Sequence, residues 1–284
     1  MKRSSKLKGI ISVIMAAVLL LSTISFAMAA TAAQKKAPLK LEPEITLATT
    51  TSTQDSGLLD VMIPAFEKRY KVKVKVVAVG SGQAIELGKK KDADVLLVHS
   101  RKAEDEFMGG GFGLRAWDLM YNQFLIVGPA NDPAKISGST SALDAFKKIA
   151  ASGAKFISRG DKSGTNTKEL SIWDKAGIKP SGSWYVSAGL GMGETIKMAE
   201  EMGAYTLVDE ATFLTVKSDL KVLCRGDKVL FNPYGIIEVK GNKKHNSVNE
   251  FIWFFISPKG QKMISDFGKA KYGKSLFVPS VKKR

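Results

Sequence analysis

Short apolar runs alternate with segments of helical period along most of the chain, and that alternation favours parallel sheets with crossover helices. Residues 45–48 read as a strand, 57–70 as a helix with Leu58, Leu59, Met62, Ile63 and Phe66 on one face, and 72–79 as an alternating strand. A short helix at 85–90 and a Val- and Leu-rich strand at 93–99 complete a βαβαβ unit. Residues 121–127 then form an extended run closed by Gly128-Pro129, and a second α/β series begins. In it, helices at 141–151, 165–176 and 194–202 alternate with strands at 155–158, 184–187 and 204–208. A second extended segment, 235–239, precedes helices at 247–255 and 259–267. Two extended crossings around a middle α/β unit imply two α/β lobes joined by two hinge strands, with 42–122 and 236–284 in the first lobe and 123–235 in the second. A cleft between such lobes is a natural ligand site.

Ahead of these elements Lys2, Arg3, Lys6 and Lys8 precede an apolar run over 10–26 and the sequence Ala27-Met28-Ala29. That is the pattern of a cleaved secretory signal peptide covering 1–29. A membrane span needs about 20 apolar residues, and Ser22, Thr23 and Ser25 interrupt this run. Residues 30–41 read as a lead-in that contributes little to the core. The expectation is an exported protein, soluble after cleavage, in the periplasm or at the outer face of the cell membrane. Cys224 is the sole cysteine, so no internal disulfide is expected, and its place in the strand-like run 221–224 suits a buried, inert thiol. The formal net charge of +16 favours anionic partners but says nothing about fold. Its lysines are scattered, which reads as a solvated basic surface and not as a nucleic-acid groove.

Five stretches carry the candidate chemistry. Thr49-Thr50-Thr51-Ser52-Thr53 lies between a strand and a helix, where hydroxyl donors sit beside the free backbone N–H groups of a first helical turn. The same residues read equally well as a cap for their own helix. Gly80-Ser81-Gly82 follows the next strand at the sheet edge where α/β proteins bind ligands. Ser158-Arg159-Gly160-Asp161-Lys162-Ser163-Gly164-Thr165 opens another helix; Arg159 can give two parallel hydrogen bonds to an oxyanion, with Ser163, Gly164 and Thr165 supplying more. Gly191-Met192-Gly193 is a further glycine-rich helix start, and 204–209 is a strand that ends in Asp209.

Together these stretches resemble the tungstate-binding proteins of bacterial ABC importers. The marks of the resemblance are Thr49-Thr50-Thr51-Ser52, Ser158-Arg159-Gly160-Asp161 with Ser163-Gly164-Thr165, Gly191-Met192-Gly193 and Ala204-Tyr205-Thr206-Leu207. It implies a two-lobed periplasmic-binding-protein fold of type II and an oxyanion held between lobes by Thr50, Thr51, Ser52, Ser81, Arg159, Ser163, Gly164, Thr165 and Gly193. It further implies a permease and its ATPase as partners, a monomeric binding protein and no cofactor. Two positions depart from the pattern: Asn166 stands where the family often has histidine, and Asp209-Glu210 where it has an Asp-Arg pair.

Tungstate and molybdate are fully deprotonated at neutral pH and suit a site made only of donors. Phosphate keeps a proton and would reward a carboxylate such as Asp55 or Asp161. An exported hydrolase is the rival class. Its only histidines would be His99 and His245, neither in a metal-ligand spacing nor near a G-x-S-x-G serine. A basic, wall-binding adhesive protein is the third reading.

Overall fold

The structure, a computed structural model, describes residues 39–284, so the expected signal peptide and most of the lead-in fall outside it. Within those residues the unit Leu41–Arg284 carries the fold. In the first half, β1 (Glu44–Thr50) leads into α1 (Thr51–Asp55) and α2 (Leu58–Tyr70), and β2 (Lys73–Val79) into α3 (Ser81–Lys90). There follow β3 (Val95–Val98), α4 (Arg101–Gly109) and β4 (Gly113–Gly128). The second half contains α5 (Ala142–Ser152), β5 (Phe156–Ser158), α6 (Gly164–Lys175), β6 (Tyr185–Ser187), α7 (Met192–Glu201), β7 (Tyr205–Asp209), α8 (Glu210–Thr215) and β8 (Lys221–Cys224). β9 (Phe231–Val239) returns to the first half, which closes with α9 (His245–Ile256), α10 (Pro258–Asp266), α11 (Lys269–Tyr272) and β10 (Val278–Lys283).

The strands lie in the order β2-β1-β3-β9-β4-β7-β5-β6, with β8 and β10 also pairing with β4. β1 is parallel to β2 and β3, and β5 is parallel to β6 and β7. β4 is long enough to belong to both sheets, pairing with β9 in one and with β7 in the other, both antiparallel. β4 and β9 are thus the two strands that join the α/β lobes. The β4–β9 ladder runs from Gly113 opposite Val239 to Gln123 opposite Phe231, and near its end Asn122 faces Asn232.

A strand covered on both faces, such as β3, is buried and apolar throughout, whereas β2 at the end of the strand order keeps an alternating pattern. Side chains alternate across a strand. Ile45, Leu47, Val95 and Leu97 accordingly join one core cluster while Ala48, Leu96 and Val98 join another. The second half repeats the pattern, with Phe124, Ile126, Phe156 and Leu207 on one side and Leu125, Val127, Ile157 and Val208 on the other. An aromatic cluster lies under α2, where the Phe66 ring sits 4.9 Å from Tyr70, 5.0 Å from Phe251 and 5.7 Å from Phe254.

Several elements go beyond the reading of the sequence, among them the short helices α8 and α11. The first crossing strand begins at Gly113 and not at 121, because register shifts between Gly113 and Arg115 and between Asp118 and Met120 break the two-residue period that marks a strand. β10 is a mostly exposed edge strand with its own register shift, so its pattern is equally faint. α4 buries only Glu104 and Phe107, too narrow a stripe to show helical period.

Phe66 is fully buried. Phe66→Ala removes the centre of its aromatic cluster and is expected to destabilise the fold by about 3–5 kcal/mol. A urea unfolding curve with a lowered midpoint and unchanged slope checks this.

Candidate anion-binding site

The strand ends that carry the sequence motifs point into one cleft. From the first half come α1, which starts where β1 ends, α3, which starts after Gly80, and His99 just past β3. From the second come Arg159, immediately after β5, and the start of α6. First-turn N–H groups of a helix have no acceptor within their own helix and carry the positive end of its dipole. Helices α1, α3 and α6 therefore bring uncommitted donors to the cleft, although α1 has only five residues and contributes little dipole.

The two halves are closed on each other. Arg159 Nη2 reaches Thr51 Oγ1 at 3.4 Å, Thr212 Oγ1 donates to the Ser52 carbonyl at 3.5 Å, and Thr215 Oγ1 to that of Asp55 at 3.3 Å. Gly164 approaches so closely that a Cβ there would lie 2.9 Å from Ser81 Oγ and 3.1 Å from the His99 ring. Only glycine permits that contact without a shift.

Three buried polar atoms in this closed cleft have no hydrogen-bond partner: Ser81 Oγ, Arg159 Nε and Thr165 Oγ1. Each unsatisfied buried donor costs about 1–3 kcal/mol, so their gathering in one cleft points to an occupant that accepts from all three. Arg159 is only 3 % exposed and is held by Asp161, whose Oδ2 accepts from Nη2 at 2.5 Å. The other oxygen of Asp161 accepts the Ser163 N–H at 3.1 Å. Both oxygens of Asp161 are thus occupied by donors from its own loop, while Asp55 and Asp209 also lie within electrostatic reach of Arg159. Beneath the loop, buried Glu169 accepts from Ser158 Oγ, Trp173 Nε1 and Tyr185 Oη, which fixes the end of β5 from which Arg159 departs.

The hydroxyl run divides its labour. Thr49 Oγ1 donates to the Leu97 carbonyl, and Thr50 Oγ1 caps α1 by accepting the Thr53 N–H at 3.2 Å. Thr51 faces Arg159, and Ser52 Oγ lies 3.1 Å from His99 Nε2. Capping and cleft lining therefore coexist in neighbouring residues. Ser163 likewise caps α6, accepting the Asn166 N–H at 3.2 Å. Gly193 stands in the first turn of α7, beside α1, with the Val216 side chain as its nearest neighbour. Of the two departures, Asn166 binds within its own loop, to the Lys162 N–H and Ser158 Oγ, and Glu210 forms an ion pair with Lys274 at 2.5 Å.

Sequence reading missed a buried chain of hydrogen bonds that runs from the second half to the first. Asp209 Oδ1 already accepts the Thr212 N–H, so the Asn122 amide 3.5 Å away presents its Nδ2 to it. The carbonyl of Asn122 then accepts from Asn232 Nδ2 at 2.7 Å, which turns the Asn232 carbonyl to His99 Nδ1 at 3.0 Å. Nδ1 therefore carries the proton of His99, and Nε2 accepts from Ser52 Oγ. Burial, together with the charges of Arg159 and Lys168 and against the bond from Asn232, pulls the His99 pKa down to about 4. Ser52, His99 and Asn232 have the order of nucleophile, base and orienter, but Ser52 is buried and so weak a base abstracts poorly at neutral pH. Among the described residues no group of three or more His, Cys, Asp or Glu side chains could hold a metal.

Residues 29–259 match the PBP superfamily domain. A tungstate-binding protein, TupA, of Peptoclostridium acidaminophilum is 50 % identical over 247 residues, covering 84 % of this chain and 86 % of its own. The chain belongs to the PBP superfamily, in the family of the TupA proteins. Two solved structures of TupA-like proteins agree with this fold. That of the tungstate ABC transporter from Geobacter sulfurreducens is 51 % identical with a TM-score of 0.73, covering 80 % of this chain and 100 % of its own. That of the tungstate-binding protein TupA from Desulfovibrio alaskensis is 42 % identical with a TM-score of 0.70, covering 85 % and 100 %.

A histidine whose folded pKa is depressed contributes stability that is present above its ordinary value of 6.5 and lost as pH falls towards about 4. The unfolding free energy of this TupA-family chain is therefore expected to decline across that window. His99→Gln, which cannot bind the proton, should show a shallower decline in denaturant titrations run at successive pH values.

Proposed function

We propose that this chain is the extracytoplasmic solute-binding component of an ABC importer and that it binds tungstate in the cleft between its lobes. The observation that carries the reading is the trio of unpartnered buried donors, Ser81 Oγ in the first half and Arg159 Nε and Thr165 Oγ1 in the second. The names of the relatives supply the choice of tungstate among oxyanions. Chemistry supports a fully deprotonated dianion. Hydrogen phosphate has to donate its own proton, and both carboxylate oxygens of Asp161 already accept from Arg159 and Ser163.

The proposed binding set is Thr51, Ser81, Arg159 and Thr165 by side chain, with Ser52, Gly164 and Gly193 acting through first-turn N–H groups and Thr50 and Ser163 holding the helix starts as caps. The lobes are taken as 42–122 with 236–284, and 123–235, bending at β4 and β9. An anion first meets one half-site, and closure brings the second against it. No step of bond making or breaking is required. The protein is read as exported and soluble after removal of 1–29, acting as a monomer with a membrane permease and its ATPase, and with no nucleic-acid partner. No helix among the described residues is long and apolar enough to cross a membrane.

Calorimetric titration with tungstate, molybdate, sulfate and phosphate tests the reading. Tungstate is expected to bind with a stoichiometry of one and more tightly than phosphate; phosphate binding the tighter would sink it. Arg159→Lys keeps the charge but loses the planar fork and its Nε donor, and should weaken tungstate binding about 10- to 100-fold. An unchanged dissociation constant would remove Arg159 from the site.

A further inference from the structure

A second concentration of positive charge lies beside β9, in a cavity of about 450 Å³ bordered by Asn232 and Pro233 and sharing His99 and Gly164 with the cleft. Its cations come from both halves. Arg101 and Lys102 begin α4, Lys168 and Lys175 lie on one face of α6, and Lys228 stands just before β9. No carboxylate among the described residues lines it.

The protein offers these cations few counter-charges, among them Glu104 in the first turn of α4 and Asp118 beside Arg101. α4 opens with two positive side chains at the positive end of its dipole, and Ser100 makes no side-chain cap bond there. Arg101 has Asp118 at 2.6 Å, but Lys102, Lys168, Lys175 and Lys228 have no carboxylate within ion-pair distance among the described residues. Lys168 is the most telling. Its Nζ donates only to the carbonyls of Val229 and Phe231, at 3.1 and 3.0 Å, and burial together with the charge of Lys175 lowers its pKa.

We propose that this cavity is an accessory anion site that takes a small multivalent oxyanion, clamped between the two halves and distinct from the ligand of the cleft. Cations arriving from three elements suit an anion that spreads several charges over more than one tetrahedral centre. Because α4 belongs to the first half and α6 to the second, an anion here ties the halves together and favours the closed form. By linkage it tightens binding in the cleft, and a cleft ligand tightens it in return.

Pyrophosphate is the probe. It is titrated into the purified chain at low salt, once with the cleft saturated by tungstate and once without tungstate. One pyrophosphate per chain is expected to bind in the presence of tungstate, and more weakly as salt rises. Lys168→Gln with Lys175→Gln should weaken it about tenfold or more, whereas Arg159→Lys should leave it unchanged as long as tungstate is raised enough to saturate the cleft of that variant. Lys175→Gln with Lys228→Gln, both at exposed positions, repeats the test without touching a buried residue. Tungstate should bind several-fold more tightly when pyrophosphate is present. Displacement of tungstate by pyrophosphate, absence of saturable binding, or indifference to both lysine pairs overturns the proposal. If tungstate itself fails to bind, the cleft reading falls, and the tungstate-free arm still decides the accessory site through its dependence on the lysines and not on Arg159.

Discussion

Arg159 is a buried guanidinium whose charge is only partly answered by the protein, and the organisation of the cleft depends on that arrangement. Asp161 occupies one edge of the group, Thr51 touches it from the opposite half, and Nε is left without a partner. A buried cation needs pairing and hydrogen bonding to be tolerated. Glu169 beneath the loop holds Ser158 at its start, and the Ser163 N–H holds the second oxygen of Asp161. Ser81 Oγ and Thr165 Oγ1 are the other buried donors of the cleft left without a partner.

The hinge has its own polar core. Asn122 and Asn232 face each other where the two crossing strands run side by side, both buried, and their amides link Asp209 at the end of β7 to His99 beyond β3. Because Asp209 also caps α8, whose Thr212 reaches the Ser52 carbonyl, two routes tie the same pair of regions together. A buried network of this kind fixes geometry more than it adds stability, and it leaves Asp209 Oδ2 without a partner.

Much of this was legible in the sequence because it is local. Hydroxyl and glycine residues clustered at strand-to-helix turns mark the cleft, and the 3.6- and 2-residue periods mark the lobes. Arg159 stood out because a guanidinium in a glycine- and hydroxyl-rich turn has few structural uses. What escaped was non-local or weakly patterned. His99 acquires its role from Ser52, 47 positions away, and from Asn232, 133 positions away, which no spacing rule connects. The first half of β4 hid behind two register shifts, and α4 behind a buried face of two residues. The division of the hydroxyl run into caps and cleft lining needed atomic contacts, since the same residue types serve both ends.

Gly164 bears on how such a cleft could measure its occupant. With no side chain, it lets α6 come to rest against Ser81 and His99, and that contact acts as a doorstop for the moving halves. The gap left in the shut state is then set by backbone against side chain and not by the ligand. An anion that fits lets the halves reach the stop; one that is too large holds them ajar, and the permease would meet a shape it does not read as loaded.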